Sequence, residues 1–435
     1  MDLWHIRGGR PLEGSWQVQG SKNASLPILA ATVLSPCRCC LYRVPRLRDV
    51  DTALEILRAL GCRVLWQDEA LYIDSRSLSG CAIPRELMER MRSSVIFMGA
   101  LLARCGEAQL SLPGGCRLGK RPIDLHLSAL RAMGADIRED GDEILCRPAR
   151  LHGAELLLPF PSVGATENAM LAACGAGGRS CIHGAAREPE ITALQDFLRA
   201  MGAQISGAGT GTIVVEGFRP REQVCARIQP DRIAAATLAC ACAAAGGEIE
   251  LKAVQPRHFS ALLYFLKQAG CDIINNNRTL RVASRSRLRA VGPVETAPYP
   301  GFPTDAQPLL MAALLRSRGC TVITETIFEN RFRQVPELCR LGASVRVEGR
   351  RALIRGVERL EGAALQATDL RGGAAMILAG LAADGETLVM DRGHIRRGYE
   401  DLDGCLSALG AELQLEQEQS TEDNNYAEFP LRRSP

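Results

Sequence analysis

The sequence predicts an α/β chain of six similar helix-and-strand units in two domains, and three observations carry that reading. The phrase Leu-x-x-h-Gly-Ala/Cys-x-h, with h small or apolar, recurs as Leu57–Val64, Leu130–Ile137, Leu198–Ile205, Leu266–Ile273, Leu338–Val345 and Leu406–Leu413. Its spacing of roughly 70 residues marks one supersecondary unit used repeatedly. Each copy follows apolar residues at helical spacing, and most precede a short strand pair. At 435 residues the chain is also too long for one core and suits two domains of about 200 residues each.

Within a unit, the helix is read from runs such as Val50, Ala53, Leu54, Ile56, Leu57 and Ile191, Leu194, Phe197, Leu198, Met201. The glycine of each phrase can take the left-handed conformation that ends a helix. Strand pairs follow over 63–73, 205–215 and 345–354. One unit has too little core to stand alone, so the copies pack on one another. Three copies precede Gln229-Pro230-Asp231-Arg232 and three follow it, which puts a domain junction there. Residues 1–19 read as strand, turn and strand without a helix, while the last copy lacks following strands. The expected division is therefore 1–19 plus 230–415 as one domain and 20–229 as the other, with a mobile polar tail over 416–435.

The chain is 46% hydrophobic and 23% charged, with a net charge of +3, so neither nucleic acid nor an acidic membrane is an expected partner. The first residues lack a secretory pattern, and the alanine-rich run 233–246 is too short to span a bilayer. A cytoplasmic monomer is expected. Seventeen cysteines without a secretion signal do not make a disulfide framework. Cys37, Cys39 and Cys40 are crowded, yet no second ligand pair stands at zinc-binding spacing.

Candidate chemistry lies in the connections. Lys22 and Asn23 in Gly20-Ser21-Lys22-Asn23-Ala24 precede an apolar helix over 26–34, where they can hold an anion or simply cap the helix. Cys116 sits in Leu112-Pro113-Gly114-Gly115-Cys116 and is followed by Arg117, Lys120 and Arg121, cations that favour a reactive thiolate; a structural thiol is the alternative. Arg92, the turn 160–166, Pro303-Thr304-Asp305, Phe328-Glu329-Asn330-Arg331, Thr368-Asp369-Leu370-Arg371 and Arg396-Arg397 occupy similar places in successive repeats. Gathered in one cleft, they form an anion site with a carboxylate base; separately, they are solvated ion pairs.

Gly-Ser-Lys-Asn-Ala, Leu-Pro-Gly-Gly-Cys, Arg-Pro-Ile-Asp-Leu-His, Ser-Val-Gly-Ala-Thr-Glu-Asn, Ala-Ala-Arg-Glu-Pro-Glu-Ile and Phe-Pro-Thr-Asp-Ala-Gln occur here in this order. The sequence from about residue 3 to 414 thereby resembles the enolpyruvyl transferases, and among them the UDP-N-acetylglucosamine 1-carboxyvinyltransferases. The resemblance implies an inside-out α/β barrel, or prism, with three units around a pseudo-threefold axis in each domain and the active site between. It implies phosphoenolpyruvate and UDP-N-acetylglucosamine as substrates, no cofactor and no metal.

By the same resemblance, Lys22, Arg121 and Arg397 contact phosphoenolpyruvate, with Arg92 and Arg371 as further basic positions. Cys116 gives the proton to C3 and forms a covalent adduct, under a loop that closes as a lid. Asp305 stands by the attacking hydroxyl. Asn23, Arg92, Arg121, Pro122, Ile123, Asp124, Leu125, Ser162, Val163, Gly164, Asp305 and Ile327 face the nucleotide sugar. Phe160 departs from the lysine of some members, which removes one charge contact. The alternatives are transfer to another acceptor, such as shikimate 3-phosphate, or a non-catalytic paralogue that binds the nucleotide sugar.

Overall fold

The computed structural model describes residues 1–113, 123–147 and 150–417. The six phrases behave alike. Gly61, Gly134, Gly202, Gly270, Gly342 and Gly410 all take positive φ, between 85° and 109°. At four of them the following N–H reaches back to the first leucine of the phrase, as Cys62 N does to Leu57 O, Ala135 to Leu130, Cys271 to Leu266 and Ala411 to Leu406. That closure satisfies an orphan carbonyl and turns the chain into the next strand.

Five four-stranded sheets share one order, a parallel edge pair followed by two antiparallel neighbours. Gln223–Arg227 lies parallel to Arg38–Tyr42, for instance, which pairs antiparallel with Ala70–Asp74, itself antiparallel to Arg63–Gln67. The sixth sheet, Ala108–Ser111 with Glu143–Arg147 and Asp136–Asp140, has an isolated parallel bridge from Ala82 to Gln109 where the others have an edge strand.

In the sheet of the last phrase, Asp2–Arg7 fills the place taken elsewhere by the second hairpin strand, between Glu386–Asp391 and Glu412–Gln417. Leu12–Gln17 pairs in parallel with Gly247–Lys252. The strand Glu412–Gln417 runs two residues into the segment read as polar tail, because Asp2 and Leu3 offer backbone partners to Gln417 and Glu416.

Helices occupy the centre. Arg232–Ala245, Gln307–Leu314 and Leu370–Ala382 pack on one another and bury nearly every residue, so these sequences are apolar all round. Phe97–Cys105 packs likewise on Val163–Gly175, and Lys22–Ala31 on Phe97–Cys105. Two apolar cores result. One draws its buried residues from Ala24 to Ile228; the other takes Trp4, Ile6, Leu12 and Val18 together with residues from Ile233 to Ala411.

The chain passes between the cores twice, and the two crossings lie side by side. Gly20 bridges Pro230, Ser21 N–H donates to Gln229 O (2.7 Å) and Asp231 N–H donates to Gln19 O (3.0 Å). A Cβ on Gly20 would lie 1.8 Å from Arg43 O, so only glycine lets the first crossing pass.

Candidate active site between the two cores

Lys22 and Asn23 open the helix Lys22–Ala31, one turn earlier than the sequence suggests. Pro27 reads as a helix start, but Ser21 caps the extra turn by accepting from Ala24 N–H (3.2 Å). Pro27 also removes the N–H that the Asn23 carbonyl would otherwise receive. Lys22 N–H donates to Asp231 Oδ2 (3.0 Å), while Asp231 Oδ1 caps Arg232–Ala245 by accepting from Ile233 and Ala234. One carboxylate therefore fixes the starts of two helices, one in each core.

The Lys22 ammonium lies 2.6 Å from Asp49 Oδ2, and Arg397 reaches the same carboxylate through Nε (2.8 Å) and Nη2 (3.2 Å). Residues 348 positions apart are thus joined across the cleft. Burial would raise the Asp49 carboxyl, yet Lys22 and Arg397 hold it below its ordinary value. Burial lowers the Lys22 ammonium against the pull of Asp49, and Arg397 and Arg371 push it the same way. Cations are concentrated here beyond what one carboxylate balances.

Arg371 is 4% exposed and follows the N-cap Asp369, whose Oδ1 accepts from Arg371 and Gly372 N–H. Its Nη2 approaches Asp305 Oδ2 (3.4 Å), and its guanidinium stands 5.4 Å from the Tyr399 ring centre. Burial opposes its charge, but Tyr399, Asp305 and Asp231 outweigh burial and keep it cationic. Arg371 Nε and Nη1 have no hydrogen-bond partner among the described residues. With Tyr399 as a neighbouring hydrogen-bond partner, this buried guanidinium still has donor capacity that suits an anion between the cores.

Asp305 is held from the other side by Arg331 Nη2 (3.0 Å), and Arg331 Nη1 lies 3.7 Å from Asp369. Its side chain keeps 32% of its surface exposed, so a carboxylate oriented by two arginines faces solvent. Glu325 shapes the neighbouring turn, accepting from Thr304 Oγ1 and Thr296 Oγ1 and from the N–H groups of Ile327 (2.8 Å) and Phe328 (3.0 Å). Ile327 is thereby fixed near Asp305.

A second group forms on the first core. Ser162 caps Val163–Gly175 through Ala165 N–H (3.4 Å). Asn168 on that helix donates to Val95 O (3.0 Å), accepts from Gly99 N–H (2.7 Å) and contacts His126 Nδ1 (2.7 Å). It ties together the turn Arg92–Ile96, the helix Asp124–Ala132 and the start of Val163–Gly175. A Cβ on Gly164 would lie 2.8 Å from His126 Cε1, so glycine is required there. Ile123 is buried, Asp124 exposed, and Leu125, Ser162, Val163 and Gly164 half-buried. The helix Lys22–Ala31 packs on Arg92–Ile96 and connects the two groups. Phe160 is 46% exposed beside the Ser162 cap.

Among the expected residues, Lys22 and Arg397 meet at Asp49, and Arg371, whose charge acts on Lys22, meets Asp305; Arg92, Ile123–Leu125 and Ser162–Gly164 lie on or beside the elements that Asn168 ties together. Cys116, Arg121 and Pro122 lie outside the described residues. Sequence reasoning did not single out Asp49, which in Arg48-Asp49-Val50-Asp51 looks like an ordinary acid in a first helical turn. Glu190 and Arg232, paired at 2.9 Å across the second crossing, stand in the sequence only within the Arg-Glu-Pro-Glu run and the junction Gln229-Pro230-Asp231-Arg232.

Six sheets, five of one order, around two helical centres, with this cation-rich cleft between, limit the relatives this chain can have. A protein from Caldanaerobacter subterraneus subsp. tengcongensis named UDP-N-acetylglucosamine 1-carboxyvinyltransferase 2 is 46% identical over 413 residues, 95% of this chain and 99% of that one. The chain belongs to that family of enolpyruvyl transferases. A UDP-N-acetylglucosamine 1-carboxyvinyltransferase of Trichlorobacter lovleyi is 45% identical over 95% of this chain and 99% of its own. The wider family described as EPSP synthase (3-phosphoshikimate 1-carboxyvinyltransferase) matches residues 6–406. The crystal structure of the enolpyruvyl transferase NikO from Streptomyces tendae superposes with a TM-score of 0.86 at 25% identity, over 95% of this chain and 98% of that one. EPSP synthase from Acinetobacter baumannii, at 19% identity and a TM-score of 0.75 over 96% of this chain and all of its own, shares the fold. The two-body prism is the family's architecture.

Proposed function

We propose that this enzyme transfers the enolpyruvyl group of phosphoenolpyruvate to the 3-hydroxyl of UDP-N-acetylglucosamine and releases phosphate, the first committed step of peptidoglycan synthesis. The observation that carries the reading is a cluster of cations at the crossing between the cores: Lys22 and Arg397 share Asp49, and Arg371, whose charge acts on Lys22, contacts Asp305. Phosphoenolpyruvate carries a phosphate and a carboxylate, and bidentate guanidinium groups suit both. Lys22 and Arg397, with Arg121, take that substrate, and the open donors of Arg371 serve the anion as it reacts.

The sugar hydroxyl adds to C2 while C3 gains a proton, giving a tetrahedral ketal; loss of phosphate and of a C3 proton leaves the enol ether. Asp305 is the base beside the hydroxyl, positioned by Arg331, and Cys116 is the donor to C3. Asn23, Arg92, Ile123 to Leu125, Ser162 to Gly164 and Ile327 bind the nucleotide sugar, with Phe160 shaping its base pocket. Work in the cytoplasm as a monomer fits this role.

Phosphate release from phosphoenolpyruvate tests the reading. It should require UDP-N-acetylglucosamine and be absent with shikimate 3-phosphate; the reverse pattern would overturn it. Prolonged fosfomycin with nucleotide sugar present should abolish activity by alkylating Cys116, and full retention would remove Cys116 from the mechanism.

A further inference from the structure

Among residues that take no part in the cleft contacts, Glu155, Cys181 and His183 bring one carboxylate, one thiol and one imidazole to the outer face of a sheet. In Ser180–His183 the alternation of a strand puts Cys181 and His183 on one face, while Ile182 points into the core. Glu155–Leu157 lies parallel to it with Glu155 opposite Cys181, and Leu156 also points inward. One ligand-type atom from each of the three residues lies within 4.8 Å of the others.

Glu155 Oε2 stands 2.9 Å from His183 Nε2, with Glu155 67% and His183 45% exposed above the buried Cys181. Thr212 Oγ1 lies 3.4 Å from His183 Nδ1, and Arg179 Nη1 lies 3.9 Å from Glu155 Oε1. The His183 imidazole and the Glu155 carboxylate are each therefore approached by a second group, as ligands to a metal commonly are.

We propose that Glu155, Cys181 and His183 form a binding site for a thiophilic divalent cation, zinc being the closest fit, with a fourth position open to solvent. Sulfur, imidazole nitrogen and carboxylate oxygen together suit zinc rather than magnesium or calcium. Tetrahedral coordination at the usual bond lengths sets a nitrogen and an oxygen ligand about 3.3 Å apart. The present 2.9 Å contact need open only slightly as the ion replaces the proton shared there. Binding also displaces the Cys181 thiol proton.

The ion would tie two parallel strands whose C-terminal ends lead to Ser162–Gly164 and to Glu188–Glu190, the latter facing Arg232 across the cleft.

Cobalt(II), added to metal-stripped full-length protein, reports thiolate ligation through sulfur-to-cobalt charge transfer. The wild type should bind one equivalent more than Cys181→Ser, and that difference should carry a charge-transfer band and tetrahedral cobalt absorption. His183→Ala and Glu155→Gln should weaken this equivalent at least about tenfold, an effect that even outer-shell changes can reach. The same equivalent of zinc should raise the wild-type unfolding midpoint and leave that of His183→Ala unmoved. Should Cys181→Ser fail to fold, the exposed His183 and Glu155 keep the comparison available. Equal stoichiometry and spectra in wild type and variants would assign the metal to other thiols and overturn the site.

Discussion

At the scale of single residues, the central fact is that buried Asp49 pairs at once with buried Lys22 and half-buried Arg397. Asp49→Asn removes the carboxylate that Lys22 and Arg397 share. Breaking a buried pair in this way costs on the order of 3 kcal/mol, to be read from urea unfolding. A loss below about 1 kcal/mol, the range of surface pairs, would show the group to be solvated. His126 makes a second test. Burial, with Arg92 adding, holds its imidazole down to about 4 from 6.5. As pH falls the unfolded chain takes the proton first, so this stability is intact above 6.5, declines through the window to about 4 and then levels off. At about 1.4 kcal/mol per pH unit the total is roughly 3 kcal/mol. Stability measured from pH 7 to 4 should show this limb, and His126→Gln should flatten it.

At the scale of elements, the six glycines share one backbone conformation but not one environment. Gly202 and Gly270 both have φ of 109°. A Cβ on Gly270 meets nothing within 4 Å, whereas on Gly202 it would lie 1.9 Å from Arg219 O. Gly270→Ala should therefore cost about 1–2 kcal/mol of backbone strain alone. Gly202→Ala should cost at least about 1 kcal/mol more, since the chain after Thr212–Phe218 must also shift. Equal midpoints for the two variants would mean that the Arg219 contact relaxes freely. The phrase was readable in the sequence because each copy must end a helix and start a strand, a local task. The start of Lys22–Ala31 was not, because Pro27 and Ser21 give conflicting local signals and the partner Asp231 lies 209 positions away.

At the scale of the molecule, two cores with no common residue are joined by two adjacent crossings and a few ion pairs. Calorimetry of the ligand-free protein should give two unfolding transitions rather than one. UDP-N-acetylglucosamine, binding between the bodies, should raise the midpoint by mass action, worth about 2.7 kcal/mol at a hundred times its dissociation constant, and draw the transitions together. A single unshifted transition would count against a ligand shared by both bodies. The sequence by itself determined the repeated unit and the mixed helix-and-strand class, because periodicity and turn chemistry are written locally; Lys22, Asp305, Arg371 and Arg397 were weak local candidates that the family resemblance alone assigned to one site. Only the tertiary structure decided the register in which Asp2–Arg7, read from the sequence as completing the carboxy-terminal domain, pairs in the last sheet, that Asp49 pairs Lys22 with Arg397, and that Glu155 stands over Cys181. Those contacts join residues tens to hundreds of positions apart, and strand register and domain apposition, which no local pattern encodes, bring them together.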